Sequence, residues 1–396
     1  MSSIDSKRGF ITLMIAHCAG MIDLVALPIW VTTLITSYHF DPQQAGGLAT
    51  LFLIGAAGAS ICLAPRFNRL NVKLVAASGF AIACIALFLS GINTSFPLLA
   101  GLHFLGGISA GTALSVTHGT MGRTSNPHRT FGIAGLAIGI LGILLLSSTP
   151  QLIQQFGGQT MFFVLASVML LATLACGLFF PKVDTSIHTD QSQSSLQLPP
   201  LGKAVWICMF GVGLLAMIQA MTVSFFAKIG LERGFGQESV NHALIFYGVL
   251  TLFPTTIAAL LEKRLNVFAV IIIGPIFQAI FSLLVTHSHE FLIYALAGPM
   301  MAFTILFIHT FAFGLLARLD PTGRAVAATP AMLMVGAAIG PIVAGTLVKF
   351  IGFESIAYLS VILDIFVVLM AIFTKKIVLR HHADRIEQAE LTAKLH

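Results

Sequence analysis

Few side chains in this sequence can do chemistry, and those few stand in apolar surroundings. Asp23 lies in the run AGMIDLVALPIW, His103 in GLHFLGG and Gln219 in AMIQAMT. An acid, an imidazole or an amide placed among such neighbours serves one of two ends. It binds a proton or a solute, or it bonds a neighbouring helix as a packing device. At 1.5 Å per helical residue Asp23 falls about 20 Å into its run and Gln219 about 22 Å into its own, while His103 falls about 10 Å from the opposite end of a run read the other way. The three therefore reach one layer. Asp23 is expected to take and release a proton, with His103 as its partner or as a ligand for the substrate. A proton crossing the membrane potential supplies about 2.3 kcal/mol per 100 mV, enough to drive a second solute.

Other polar groups fall around that layer. His17 and His309 lie nearer one face and are expected to line a vestibule for substrate, with Thr304 adding a hydroxyl. His118 falls at the end of its run, an interfacial position. Asp364 is expected to make a hydrogen bond into its surroundings. Met217 and Met221 form an M-x-x-x-M pair on one helical face. Thioethers so spaced can hold cuprous copper, but the next run offers His242 with Phe246 where a second methionine would complete the set. The pair is expected to be a pliable apolar wall for substrate, with copper import as an alternative. No metal site and no cofactor are expected. The patterns G-x-S-x-G, H-E-x-x-H and G-x-x-x-x-G-K-[ST] are missing from the sequence, so neither enzymatic catalysis nor ATP-driven pumping is expected.

The elements that must hold these groups follow from composition. Charged residues make up 9% of the 396 and hydrophobic residues 57%, against roughly 25% charged in soluble domains. Mean hydropathy is +0.95. So few charges cannot cover a water-exposed surface, and the chain is read as an all-α integral membrane protein. Spans of about 20 apolar residues are needed to cross the hydrocarbon core. Twelve are expected, at 10–36, 44–64, 74–92, 96–121, 131–150, 159–180, 204–228, 242–261, 267–286, 291–316, 325–349 and 355–374.

Charge sets the orientation. With a cytoplasmic N-terminus, only Lys228, Arg233 and Lys349 of the 21 Lys and Arg fall outside, the bias expected of a membrane chain. The net charge of +6 then reports topology and anionic headgroups, and no nucleic-acid partner.

The word RLNV occurs at residues 69–72 and again at 264–267, an offset of 195. A tetrapeptide repeats by chance about once in a chain this long, so the register needs further support. At the same offset Arg8 meets Lys203, Arg123 meets Arg318 and Arg129 meets Arg324, so that RTSNPHR lies over RLDPTGR. A duplication is expected. Residues 1–180 form a first six-helix bundle, 181–203 a polar cytoplasmic linker, 204–374 a second bundle and 375–396 a solvated cytoplasmic tail. Six spans return the chain to its starting side, so the repeats are parallel and related by an axis along the membrane normal.

Twelve spans divided six and six by a linker resemble the major facilitator superfamily, over the whole chain. The stretch LAPRFNRLNVK is similar to that family's G-x-L-A-D-R-x-G-R-R-like loop, with Leu63, Ala64, Arg66, Phe67 and Arg69 in place and Pro65 where the family has Asp. GAAIGPIVAG resembles the family's Gly-Pro-rich eleventh span, at Gly340 and Pro341. The resemblance implies two bundles rocking about a cavity lined by spans one, four, seven and ten. Arg66, Arg69, Arg123, Arg129, Arg318 and Arg324 are expected to anchor loops and to gate. The implied function is secondary active transport of a small organic solute by alternating access, coupled to protons. Partners are the solute, protons and the lipid bilayer, the chain is expected to be a monomer, and the site is a cell membrane, the inner one in a bacterium. Efflux antiport of drugs or metabolites is the alternative, and a non-transporting membrane sensor is a further one. FGIAGLAIGILGILLLSSTP lacks the Gly-Pro of drug antiporters, which favours uptake.

Overall fold

A computed structural model describes residues 6–63, 67, 70–181, 201–320 and 324–394. Twelve helical segments long and apolar enough to cross a membrane run through the described residues, which are all helix, turn or loop. In chain order the helices are Lys7–Gly20 and Ile22–Thr36 (together span one), Pro42–Leu63, Val72–Gly91, Phe96–Met121, Pro127–Phe156 and Gln159–Phe179 (spans two to six). Then come Lys203–Glu232 (span seven), Gln237–Leu250 with Pro254–Leu261 (span eight), Val267–His287, Phe291–Leu319, Arg324–Phe350 and Glu354–Lys394 (spans nine to twelve). An even number of spans puts both termini and the central connection on one side, called here the linker side; the other is the far side. Residues 182–200 of the expected linker lie outside the described residues.

Helix starts explain the duplicated word. Asn71 caps span three, its side chain accepting from the Leu74 amide at 3.2 Å. Asn266 caps span nine in the same way, accepting from Phe268 at 2.9 Å and Ala269 at 3.3 Å. Asparagine at this position satisfies amides that a helix leaves unpaired. The paired loops act alike: Asn126 accepts from Arg129 at the start of span five, and Asp320 accepts from Ala325 at the start of span eleven. RLNV and RTSNPHR over RLDPTGR are thus repeated helix starts.

Two elements differ in detail from their outline in the sequence. Residues 375–394, expected within a solvated tail, are helical and continue the helix of span twelve to Lys394. The segment KKIVLRHHADRIEQAELTAK holds neither Gly nor Pro and is rich in strong helix formers, so nothing stops the turn at the membrane face. Span one crosses as one run, Lys7–Thr36, but its helix is interrupted at Met21, whose backbone leaves the helical region at φ −110° and ψ 4°. The cause is local. The Leu24 amide donates to its neighbour's carboxylate, Asp23 Oδ1, at 2.9 Å, and is thereby drawn from the carbonyl four residues back. Pro28 then has no N–H for the Leu24 carbonyl. Span eight breaks similarly ahead of Pro254.

The two halves meet at three crossings, span two on eleven, the far half of span one on seven, and span five on eight. The linker-side half of span one packs instead on spans four, five and six.

Candidate functional site

Asp23 sits in the first turn of the second helix of span one, at the break, and is 3% exposed. A helix N-terminus favours a negative or hydrogen-bonding group, so the break both frees this carboxyl from a regular helix and gives it a compatible place. Just beyond it Val25 faces Gly142 of span five, and the helix goes on to pack against span seven. Asp23 is therefore at the point where span one leaves its own half and reaches the other.

His103 is held elsewhere. Trp30, two turns beyond Asp23, donates its indole N–H to His103 Nε2 at 3.3 Å. An indole only donates, so the ring proton is on Nδ1, which donates to the Leu99 carbonyl at 2.8 Å. Trp30 and Phe162 flank the ring with centroids 5.4 and 5.5 Å away, and Phe52 and Tyr38 extend the aromatic group. Both nitrogens are used and the residue is wholly enclosed. The shared layer read from residue counts pairs His103 with Trp30 rather than with Asp23. His103→Leu is expected to orphan the Trp30 N–H and lower unfolding stability by about 1–3 kcal/mol, read as a fall in thermal midpoint. Loss of transport with no fall in midpoint would give the imidazole a direct role.

The other expected groups distribute as follows. His17 Nδ1 lies 2.9 Å from His118 Nε2, so the two imidazoles share one hydrogen bond between spans one and four. His118, expected at the interface, is thus bound within the first half, with Phe131 of span five at 5.6 Å. Gln219 donates to the Tyr247 hydroxyl of span eight at 3.4 Å. Thr304 turns back to the Met300 carbonyl, and His309 stacks on Phe313 with Nε2 buried and unpartnered. Met221 is fully buried. A Cβ on Gly340 would lie 2.9 Å from both the Met217 carbonyl and the Met221 amide, so span eleven crosses the methionine pair at backbone contact. No metal-ligating cluster of three occurs among the described residues.

Two of the basic loop residues make contacts inside their own halves. The Arg123 guanidinium lies over the Phe67 ring at 4.6 Å, and Arg318 pairs with Glu262 at 3.4 Å, both groups exposed. Arg129 is exposed at the start of span five. Arg66 and Arg69 lie outside the described residues, as does the side chain of Arg324.

Polar contacts that join the halves are found on the far side, at residues without a local signal in the sequence. Lys349 donates to Asp41 Oδ2 at 3.0 Å and to Gln43 Oε1 at 3.2 Å, and Gln43 donates to Thr346 at 3.3 Å. Deeper, the Ile342 amide donates to Thr50 at 3.1 Å, next to Pro341. Lys349 had stood out as one of three cations on the far side, which was the signal to look for its partner. Partial burial pulls the Asp41 carboxyl upward, but the Gln44 and Gln43 amides and Lys349 outweigh it and hold the group below its usual range. A depressed carboxyl contributes above its ordinary value, near 3.9, and loses that contribution as pH falls through the lowered one. This latch is therefore expected to be constant between about pH 5 and 8. Both partners are about a third exposed, so Lys349→Gln should shift the closed population by no more than about fivefold. Crosslinking of cysteines placed on spans two and eleven at several pH values checks both points.

Comparison with known proteins follows the same outline. The profile described as Major Facilitator Superfamily matches residues 12–322. A Bacillus subtilis protein described as an uncharacterized MFS-type transporter, YceJ, is 22% identical over 321 residues, 78% of this chain and 81% of that protein. The crystal structure of the nucleoside transporter NupG is similar at a TM-score of 0.69 and 16% identity, over 93% of this chain and 98% of that one. A bacterial homolog of the human lysosomal transporter Spinster, in an inward-facing and unoccupied conformation, is similar at 0.73 and 12% identity, over 95% and 98%.

Proposed function

The chain belongs to the Major Facilitator Superfamily, and we propose that it is a proton-coupled secondary transporter of a small organic solute, working by alternating access. The observation that carries this reading is Asp23. It is the sole acid in the six spans of the first half, it is buried, and it occupies the break in a span that touches both halves. A carboxyl at a hinge changes its surroundings when the halves move, and a group whose surroundings change can exchange its proton on one side only at a time.

With both termini cytoplasmic, the far-side crossings close the outside and the arrangement faces inward. Substrate recognition falls to uncharged groups, the Gln219 amide with Tyr247 and the Thr304 hydroxyl, with His309 near the linker side. No arginine stands within the apolar part of any span, so the solute is amphipathic or weakly charged rather than a strong anion. In this reading His103 positions Trp30 and takes no part in proton transfer. Proteoliposomes holding the purified protein, screened with a metabolite library under an imposed proton gradient, test the proposal. Accumulation of at least one compound that collapses when the gradient is dissipated is expected; uptake indifferent to the gradient would overturn it.

A further inference from the structure

Asp364 belongs to the other half and is untouched by the mechanism above. It is 2% exposed, on the face of span twelve formed by Ser360, Asp364, Val367 and Ala371, while Ile362, Ile365 and Phe366 point outward. The expected hydrogen bond into the bundle is not made, for neither carboxyl oxygen has a partner among the described residues. A buried ionised carboxylate with no partner is strongly disfavoured even after relaxation, whereas a neutral acid needs only an acceptor for its hydrogen.

Such an acceptor is close in register. The His287–Tyr358 contact at 3.1 Å fixes spans nine and twelve side by side. Six residues toward the linker on each helix of that antiparallel pairing puts Asp364 level with Phe281, within a turn of Gln278 and Ser282. Gln278 is fully buried, donates Nε2 to the Leu215 carbonyl of span seven at 3.2 Å, and has an Oε1 without a partner. Ser282 is already bonded to Thr222 of span seven at 3.1 Å.

Among the described residues no cation is placed to neutralise the acid. Span seven carries Lys203 and Cys208 toward the linker end and Lys228, Glu232 at the far end; span nine has His287; span eleven has Arg324 and Lys349 at its ends. On span twelve itself Tyr358 is held by His287, Glu354 pairs with Arg233, and Lys375 and Lys376 begin about 16 Å away along the helix.

We propose that Asp364 is a second proton-binding site of this protein, lying between spans seven, nine and twelve, with the Gln278 amide as its partner. In the neutral state the acid hydrogen goes to Gln278 Oε1 and Gln278 keeps its bond to Leu215. When the proton leaves, the carboxylate accepts from the Gln278 N–H instead, and the Leu215 carbonyl is released. That carbonyl sits one turn before Gln219 on span seven, which links the site to the substrate-facing part of the same helix. A cavity of about 30 Å³, lined among others by Leu215, Val367 and Thr374, begins one turn below Asp364. Its lining is apolar apart from Cys208 and Thr374, and Thr374 Oγ1 is a buried group without a partner.

The test is infrared spectroscopy of the full chain in nanodiscs, following the carbonyl stretch of protonated carboxylic acids. At neutral pH a band is expected that Asp364→Asn removes, that Asp23→Asn leaves in place, and that disappears reversibly as pH rises. Gln278→Leu should shift the band and leave the protein folded, which keeps the test open if Asp364→Asn does not accumulate. A spectrum unchanged by Asp364→Asn would overturn the site, and one unchanged by Gln278→Leu would overturn the partner. A band missing from the wild type overturns the proton as ligand; if Na⁺ then raises the thermal midpoint of the wild type and not of Asp364→Asn, the site takes a metal cation instead. The Asp23 reading can fail in the transport assay without touching any of these outcomes.

Discussion

Asp23→Asn is expected to abolish uphill accumulation while leaving downhill exchange of the same solute. The amide keeps the shape of the carboxyl and an oxygen that can accept from the Leu24 amide, so the break at Met21 and the course of span one survive. What is lost is the group that changes charge. One proton moving through 100 mV supplies about 2.3 kcal/mol, equivalent to about a 50-fold concentration ratio. In proteoliposomes of the Asp23→Asn variant that ratio should fall to unity, with solute-for-solute exchange within a few-fold of the wild type. Exchange probes the swing of the two halves, and accumulation probes the coupling, so the two assays separate a broken hinge from an uncoupled one. Retained accumulation with an unchanged pH profile would assign coupling to another group. The far-side latch is no substitute, because Asp41 does not titrate in the relevant range.

The span plan was legible because hydropathy alone carries it: a segment too apolar for water has only the bilayer, and its ends are marked by charge. The duplicated RLNV and its neighbouring loops were legible for a related reason, since each copy must start a helix and the Asn caps leave a trace in sequence. Legibility ended where position depends on rotation about a helix axis. Residue counting placed Asp23 and His103 at one depth, but depth says nothing of facing, and the Trp30 indole took the imidazole. The break in span one had its signals in plain view, an Asp five residues before a Pro. An acid in an apolar run reads first as chemistry, and its competition for a backbone amide was overlooked. Cross-half partners such as Asp41 and Lys349, or Thr50 and Ile342, are some 300 residues apart in sequence, and no local pattern announces them.

Gly46→Ala is expected to hold the far side open and stop transport. Small residues let membrane helices approach to backbone contact, and here the approach joins the two halves. A Cβ on Gly46 would lie 2.1 Å from the Pro341 carbonyl oxygen and 2.7 Å from its carbon; across the same crossing, one on Gly345 would lie 2.2 Å from the Pro42 carbonyl oxygen. Neither clash falls on the movable end of a side chain, so the helices must separate. Pro341 presents its backbone carbonyl to span two at this crossing, while Gly340 on the opposite face abuts the backbone of span seven. Overpacking of this kind costs about 1–3 kcal/mol, which against a state of comparable energy shifts the population about 5- to 150-fold. An arrangement in which spans two and eleven part would not carry these clashes. Gly47→Ala is the matched control, since its Cβ meets only the terminal methyl of Ile342 at 3.2 Å, which can turn aside. In a background without native cysteines, Thr50→Cys lies beneath the crossing and is buried while it is closed. Labelling there by a membrane-impermeant thiol reagent from the far side should rise with Gly46→Ala and stay low with Gly47→Ala, and exchange should fall with the first alone. Equal labelling and equal transport in the two variants would mean that the crossing of spans two and eleven does not gate, and that closure on the far side is set by spans one and seven.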